Sequence, residues 1–70
     1  MEHTLIRSDI AAALAELPLR QRQAVVLRDW AGFETREVAR MLGTREATAR
    51  VHLARGRATL RAAVDEGSSP

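Results

Sequence analysis

Apolar residues recur along this chain at steps of three and four, and no stretch alternates apolar with polar, so the pattern predicts helices and no strand. "SDIAAALAEL" places Ile10, Ala13, Leu14 and Leu17 on one stripe, with Ser8 as a cap and Asp9 suited to the positive N-terminal end. Pro18 ends this first helix, because the residue before a proline is pushed out of helical geometry. "LRQRQAVVLRDWAG" predicts a second helix with Ala24, Leu27 and Trp30 inward and Arg20, Arg22 and Arg28 largely outward. Gly32 is placed to close it in a left-handed cap. A short third helix, "TREVARMLG", starts at Glu34 or Thr35, buries Val38, Met41 and Leu42, and stops at Gly43. Thr44 is a cap for a fourth helix running from about Arg45 to Val64, and "DEGSSP" reads as a solvated tail. The expected organisation is a lead-in over 1–7, a helical domain over 8–64 and a flexible tail over 65–70. The fold class is all-α: a small four-helix domain with no sheet.

Only about three residues around Gly43 separate the third and fourth helices. That is the connection of a helix-turn-helix, whose second helix enters the DNA major groove, although a plain αα-hairpin has the same spacing. Ala39, four residues before Gly43, supplies the small side chain that a helix crossing needs, and Ala49 and Leu53 return to the core from the fourth helix. Glycine enters the left-handed conformation without steric cost, which gives Gly43 a physical task there.

Charge sharpens this picture. All eleven basic residues are Arg. Residues 1–34 carry four Arg against five acids, a net −1, whereas residues 35–64 carry seven Arg against Glu37 and Glu46, a net +5. The second half is the electrostatic end of the molecule, and a polyanion is its natural partner. There is no cysteine, so disulfides, thiolate metal sites and cysteine nucleophiles are excluded together. His3 and His52 lack neighbours at ligand spacing, and Glu37 and Glu46 lack the paired geometry of acid–base catalysis, so no metal, cofactor, small-molecule substrate or enzyme activity is expected. No run reaches the length of a membrane span and "MEHTLIRSDI" has no signal-peptide pattern, so a cytoplasmic protein is expected. Trp30 and Phe33, the only aromatics, read as core, and His52 as a packed or half-exposed flank.

At 100° per residue, Ala49, Leu53, Gly56, Leu60 and Val64 fall in one sector of the fourth helix. The opposite side carries Ala47, Arg50, Val51, Ala54, Ala58 and Arg61, with Thr48 and Arg55 on one flank. Small residues let the axis approach a groove floor, Arg reaches guanine or clamps phosphate, and Val51 and Ala54 suit a thymine methyl. Thr44 and the first amides of the helix offer a phosphate site. Arg45, whose charge opposes the helix dipole, is explained by a compensating phosphate or base. An exposed Arg is ordinarily solvated surface; clustering on one helix after a helix-turn-helix connection reverses that for Arg50 and Arg55. Arg57 and Arg61 are as well suited to phosphates or to Asp65 and Glu66 as to bases.

From Ala13 to Arg61 the chain resembles region 4 of bacterial sigma factors, particularly the extracytoplasmic-function group. The ordered set "LP-x-R-Q-R" at Leu17–Arg22, "G-F-x-x-x-E-V-A-x-x-L-G" at Gly32–Gly43, and "E-A-T-A-R" followed by "R-G-R-x-x-L-R" carries the resemblance. It implies a C-terminal helix-turn-helix of winged-helix-like, sigma region 4 type, with the fourth helix reading double-stranded promoter DNA at the −35 element. It also implies that Arg50, Val51, Ala54 and Arg55 contact bases and backbone and that Arg36 clamps a phosphate. The first half would dock on the β flap of the RNA polymerase core, and an anti-sigma factor could mask these surfaces. Where the family usually has Gly-Thr-Val-Lys-Ser, this chain has Ala47-Thr48-Ala49-Arg50-Val51, and Glu34 stands where a capping serine is common. Because only region 4 is covered, a fragment or a solo domain is expected rather than a complete initiation factor.

Two other readings compete. One is the output domain of a LuxR-type regulator, with which "EATARVHL" is compatible, but the interval from "RQR" to Gly32 is one residue longer than that family has. The other is a region 4-like protein-interaction module whose partner is mainly an anti-sigma factor or polymerase.

Overall fold

The computed structural model describes residues 8–67, with the side chains of residues 9–65. Helix α1 spans Ser8–Glu16, α2 Leu19–Val25, α3 Thr35–Leu42 and α4 Glu46–Gly67, and a π-helical turn, Val26–Trp30, prolongs α2 without a break. No strand occurs among the described residues, so the fold is all-α, with α3 and α4 forming a C-terminal helix-turn-helix. The lead-in over 1–7, the capping side chain of Ser8 and the last three residues of the expected tail lie outside the described residues.

The apolar stripes meet along α4, which packs against each of the other three helices. The core joins Leu14 and Leu17 of α1, Ala24 and Val25 of α2, Val38 and Leu42 of α3, and Leu53 and Leu60 of α4. Ile10, Ala13, Leu27 and Phe33 pack at its margin. Each buried leucine is worth about 1.5–3 kcal/mol. Ala39 and Ala49 are buried where α3 and α4 cross, as their small side chains predict. Gly56 is buried between α4 and α2: a Cβ there would lie 2.7 Å from Val25 Cγ2 and 3.2 Å from the Gln21 carbonyl oxygen. The glycine therefore sets how closely the two helices approach.

Backbone chemistry fixes the joints. The Pro18 carbonyl accepts the first bond of α2, from the Arg22 N–H at 3.0 Å. The Arg22 guanidinium donates back to the Ala15 carbonyl at 3.2 Å and satisfies one of the carbonyls that the end of α1 leaves open. Arg22 is thus half-buried rather than outward. Asp9 accepts the Ile10 N–H at 2.9 Å in the first turn of α1. Gly43 adopts φ 70° and ψ 35°, and the N–H groups of Gly43 and Thr44 donate to the Arg40 and Ala39 carbonyls at 3.1 and 2.9 Å. This is the left-handed closure expected for α3. Gly32 likewise has a positive φ, 86°.

Several expectations are corrected. The second helix is not α-helical throughout: the Ala31 N–H reaches the Val26 carbonyl, five residues back, at 2.9 Å. The wider turn rotates the later residues off the α-helical stripe. Trp30 accordingly lies 38% exposed instead of in the core, while Val25, absent from the expected inward set, is fully buried. Met41 is 52% exposed, since the short α3 directs only Val38, Ala39 and Leu42 inward. α3 starts at Thr35, one of its two expected positions, and the Glu34 N–H donates to Glu37 Oε1 at 3.0 Å. α4 starts at Glu46 and continues to Gly67, three residues beyond Val64, with Leu60 buried and Val64 half-buried on its inner face. No helix among the described residues is long and apolar enough to cross a membrane.

Candidate nucleic-acid interface

The turn Gly43–Thr44–Arg45 aims α4 so that Ala49, Leu53, Gly56 and Leu60 face inward. The same geometry turns Ala47, Thr48, Arg50, Val51, Ala54, Arg55, Ala58 and Arg61 to solvent, as the helical period predicts. Four of these eight are alanine or valine, so the strip is low, with arginines rising from it. Val51, 44% exposed, is the one large apolar side chain on it.

The expected site residues divide by position. Arg36 and Arg50 come together in a cleft between the starts of α3 and α4, completed by Glu34, Thr35 and Glu46. Arg50 and Ala54 also line an adjoining cleft with Arg28, Thr35, Leu53 and Arg57. Thr48, Val51 and Arg55 lie on the exposed surface of α4 and line neither cleft. Thr44 and Arg45 sit before the helix. The Arg45 carbonyl accepts the first bond of α4, from the Ala49 N–H at 3.0 Å, so Arg45 holds the flanking position assigned to Thr44. The Thr44 hydroxyl donates to the Arg45 carbonyl oxygen at 3.1 Å and does not cap α4, a correction to its expected role.

Two ion pairs organise the arginines. Arg50 Nη2 donates to Glu46 Oε2 at 2.7 Å, one helical turn earlier. Arg57 Nε and Nη2 grip Asp29 Oδ2 and Oδ1 at 2.9 and 2.5 Å, a bidentate bond between α4 and the π turn. Hydrogen bonds from Arg57 hold the Asp29 carboxyl below its ordinary value against an upward push from burial, with the charges of Arg57 and Arg28 adding to the lowering. The same bonds raise Arg57. Arg57 is therefore engaged by Asp29 rather than left for a phosphate or for the acids at the chain end.

Sequence reasoning missed this pair, because Asp29 and Arg57 stand 28 residues apart and meet only once the π turn carries Asp29 towards α4. It also missed Arg28, which the same turn brings to the cleft of Arg50 and Arg57. The step of four between Glu46 and Arg50 is visible in the sequence and is the standard spacing of a helical ion pair.

A second feature lies away from α4. Arg22, Gln23, Val26, Leu27, Met41 and Leu42 line an apolar groove between α2, the π turn and α3. Val26 and Met41 are exposed there, and the Gln23 Oε1 is buried without a hydrogen-bond partner among the described residues.

Residues 7–60 match the family described as sigma-70, region 4. Over 51 residues, 73% of the chain, the sequence is 45% identical to the ECF RNA polymerase sigma factor SigM from two strains of Mycobacterium tuberculosis. The aligned stretch spans 26% of the length of each of these relatives. No solved structure gives a significant match.

Proposed function

From a chain that belongs to the sigma-70 region 4 family, we propose a module that lays α4 in the major groove of promoter DNA at the −35 element and so contributes to transcription initiation by an ECF-type sigma factor. The observation that carries this reading is the outer strip of α4, where low side chains alternate with Arg50, Arg55 and Arg61 beside the helix-turn-helix connection. Arg50 and Arg55 are the base readers, through guanine edges or adjacent phosphates, and Val51 and Ala54 meet thymine methyls. Arg36, Thr44, Arg45 and Thr48 hold the backbone, and Arg28 adds positive charge to the cleft beside Arg50.

Selection from a library of random duplexes tests the proposal with no promoter sequence assumed. The 70-residue chain should enrich one short motif, and Arg50→Ala should lose preference at a single position, worth about 1–3 kcal/mol. Enrichment of no motif would defeat the reading.

The apolar groove of Val26 and Met41 supports a protein partner as well, and no residue of α4 lines it. RNA polymerase, through its β flap, is the occupant we assign, with an anti-sigma factor as its competitor. Met41→Asp should abolish capture of polymerase while leaving DNA selection intact; capture at the unmodified level would contradict this assignment.

A further inference from the structure

Glu46 is the only acid between Glu37 and Asp65, and it stands at the start of α4, whose exposed strip carries Arg50, Arg55 and Arg61. A carboxylate there repels every approaching phosphate, which is a poor arrangement for a surface that binds polyanions by charge alone. Its favourable interaction with the helix dipole accounts for the charge but not for the side chain that carries it, since Asp would serve as well. The geometry supplies the missing reason. Glu46 Oε2 accepts a single bond from Arg50 Nη2 at 2.7 Å, and the Arg50 side chain stays 64% exposed while paired. A guanidinium presents five N–H donors in a rigid fork, so one bond at Nη2 leaves the Nη1 and Nε donors free. Thr35 and Arg36 wall the cleft in which the pair stands.

We propose that Glu46 is the positioning residue for Arg50: it anchors one arm of the guanidinium so that the free arms meet a base edge already oriented, and its charge penalises binding that engages phosphates alone. This inference rests on the reading of α4 as the base-reading helix. Anchoring removes side-chain freedom before DNA arrives, so the specific complex loses less entropy in ordering Arg50. The non-specific complex gains nothing from it and bears the repulsion. Glu46 therefore acts on the ratio of the two affinities rather than on either alone.

Glu46→Asp separates these effects, because it keeps the charge at the helix start while its arm, one methylene shorter, no longer holds the Arg50 guanidinium in the same position. The test measures affinity of the full 70-residue chain for the selected duplex and for a shuffled duplex, by fluorescence anisotropy at fixed salt, with thermal melts as the control for folding. Glu46→Asp should lower the ratio of affinities about three- to tenfold with an unchanged melt. Glu46→Ala should lower it further by strengthening binding to the shuffled duplex. In an Arg50→Ala background, Glu46→Asp should have no effect on the ratio, which distinguishes action through Arg50 from a general effect on the helix. A ratio within about twofold of the parent in Glu46→Asp, alongside a drop in Arg50→Ala, would overturn the inference and leave the DNA-binding reading standing. An unchanged ratio in Arg50→Ala itself would overturn both.

Discussion

Asp29 and Arg57 show how a single contact ties the sequence to the orientation of α4. The bidentate bond fastens the π turn to the middle of α4, two turns beyond Arg50. Both side chains are partly solvated, so the pair is worth about 0–1 kcal/mol. Because the folded state depresses the Asp29 carboxyl, its contribution is present above the unfolded value and is lost as pH falls through the folded one. The melting temperature of Asp29→Asn should therefore lie below that of the parent near neutral pH. The gap should close as pH falls from about 5 towards 2. A gap independent of pH would show that the carboxylate charge is not what stabilises the contact. The raised Arg57 adds no pH dependence on this side, since its contribution is lost only when pH rises past the ordinary arginine value.

The four helices, their order and both left-handed glycine ends were legible in the sequence, because local chemistry decides them. Pro18 and Gly43 each act through their own backbone, and the inner face of α4 follows from a period that nothing interrupts. The π turn was not legible, and the exposure of Trp30 and the placing of Asp29 followed from it. An inserted residue per turn has no signature in residue type, and periodicity extrapolated from Leu19 runs past it. Met41 was misplaced for a related reason: an eight-residue helix has too few turns for its inner stripe to be drawn sharply. Gly56 has a further consequence that composition alone could not give. Alanine raises helix propensity by about 1 kcal/mol, yet its Cβ would sit 2.7 Å from Val25 Cγ2. Overpacking costs about 1–3 kcal/mol, so Gly56→Ala should lower stability in urea denaturation. Combining it with Val25→Ala should cost less than the sum of the two changes, because the second creates the room the first needs. Additive losses would contradict a direct clash.

Viewed whole, the chain presents two distinct surfaces. The exposed strip of α4 and its neighbouring clefts gather Arg28, Arg36, Arg50 and Arg55, whereas the groove of α2, the π turn and α3 exposes Val26 and Met41 and buries an amide oxygen with no partner among the described residues. The split matches the charge asymmetry of the sequence, net −1 over residues 1–34 and net +5 over residues 35–64. The exposed strip of α4 was legible from helical period and charge. What the sequence did not display was the engagement of Arg57 by Asp29, 28 residues away, whereas the pairing of Arg50 with Glu46 follows from their step of four. Binding through such a surface should weaken steeply with salt, each neutralised phosphate adding about 0.9 to the slope of log affinity against log salt. The most direct test is a competition titration of the selected duplex against a shuffled one across a salt series, for the parent chain and for Arg50→Ala. The parent should clearly prefer the selected duplex, and Arg50→Ala should lose about ten- to a hundredfold of that preference. Equal affinity of the parent chain for both duplexes, unchanged by Arg50→Ala, would contradict the assignment of α4 as a base-reading helix.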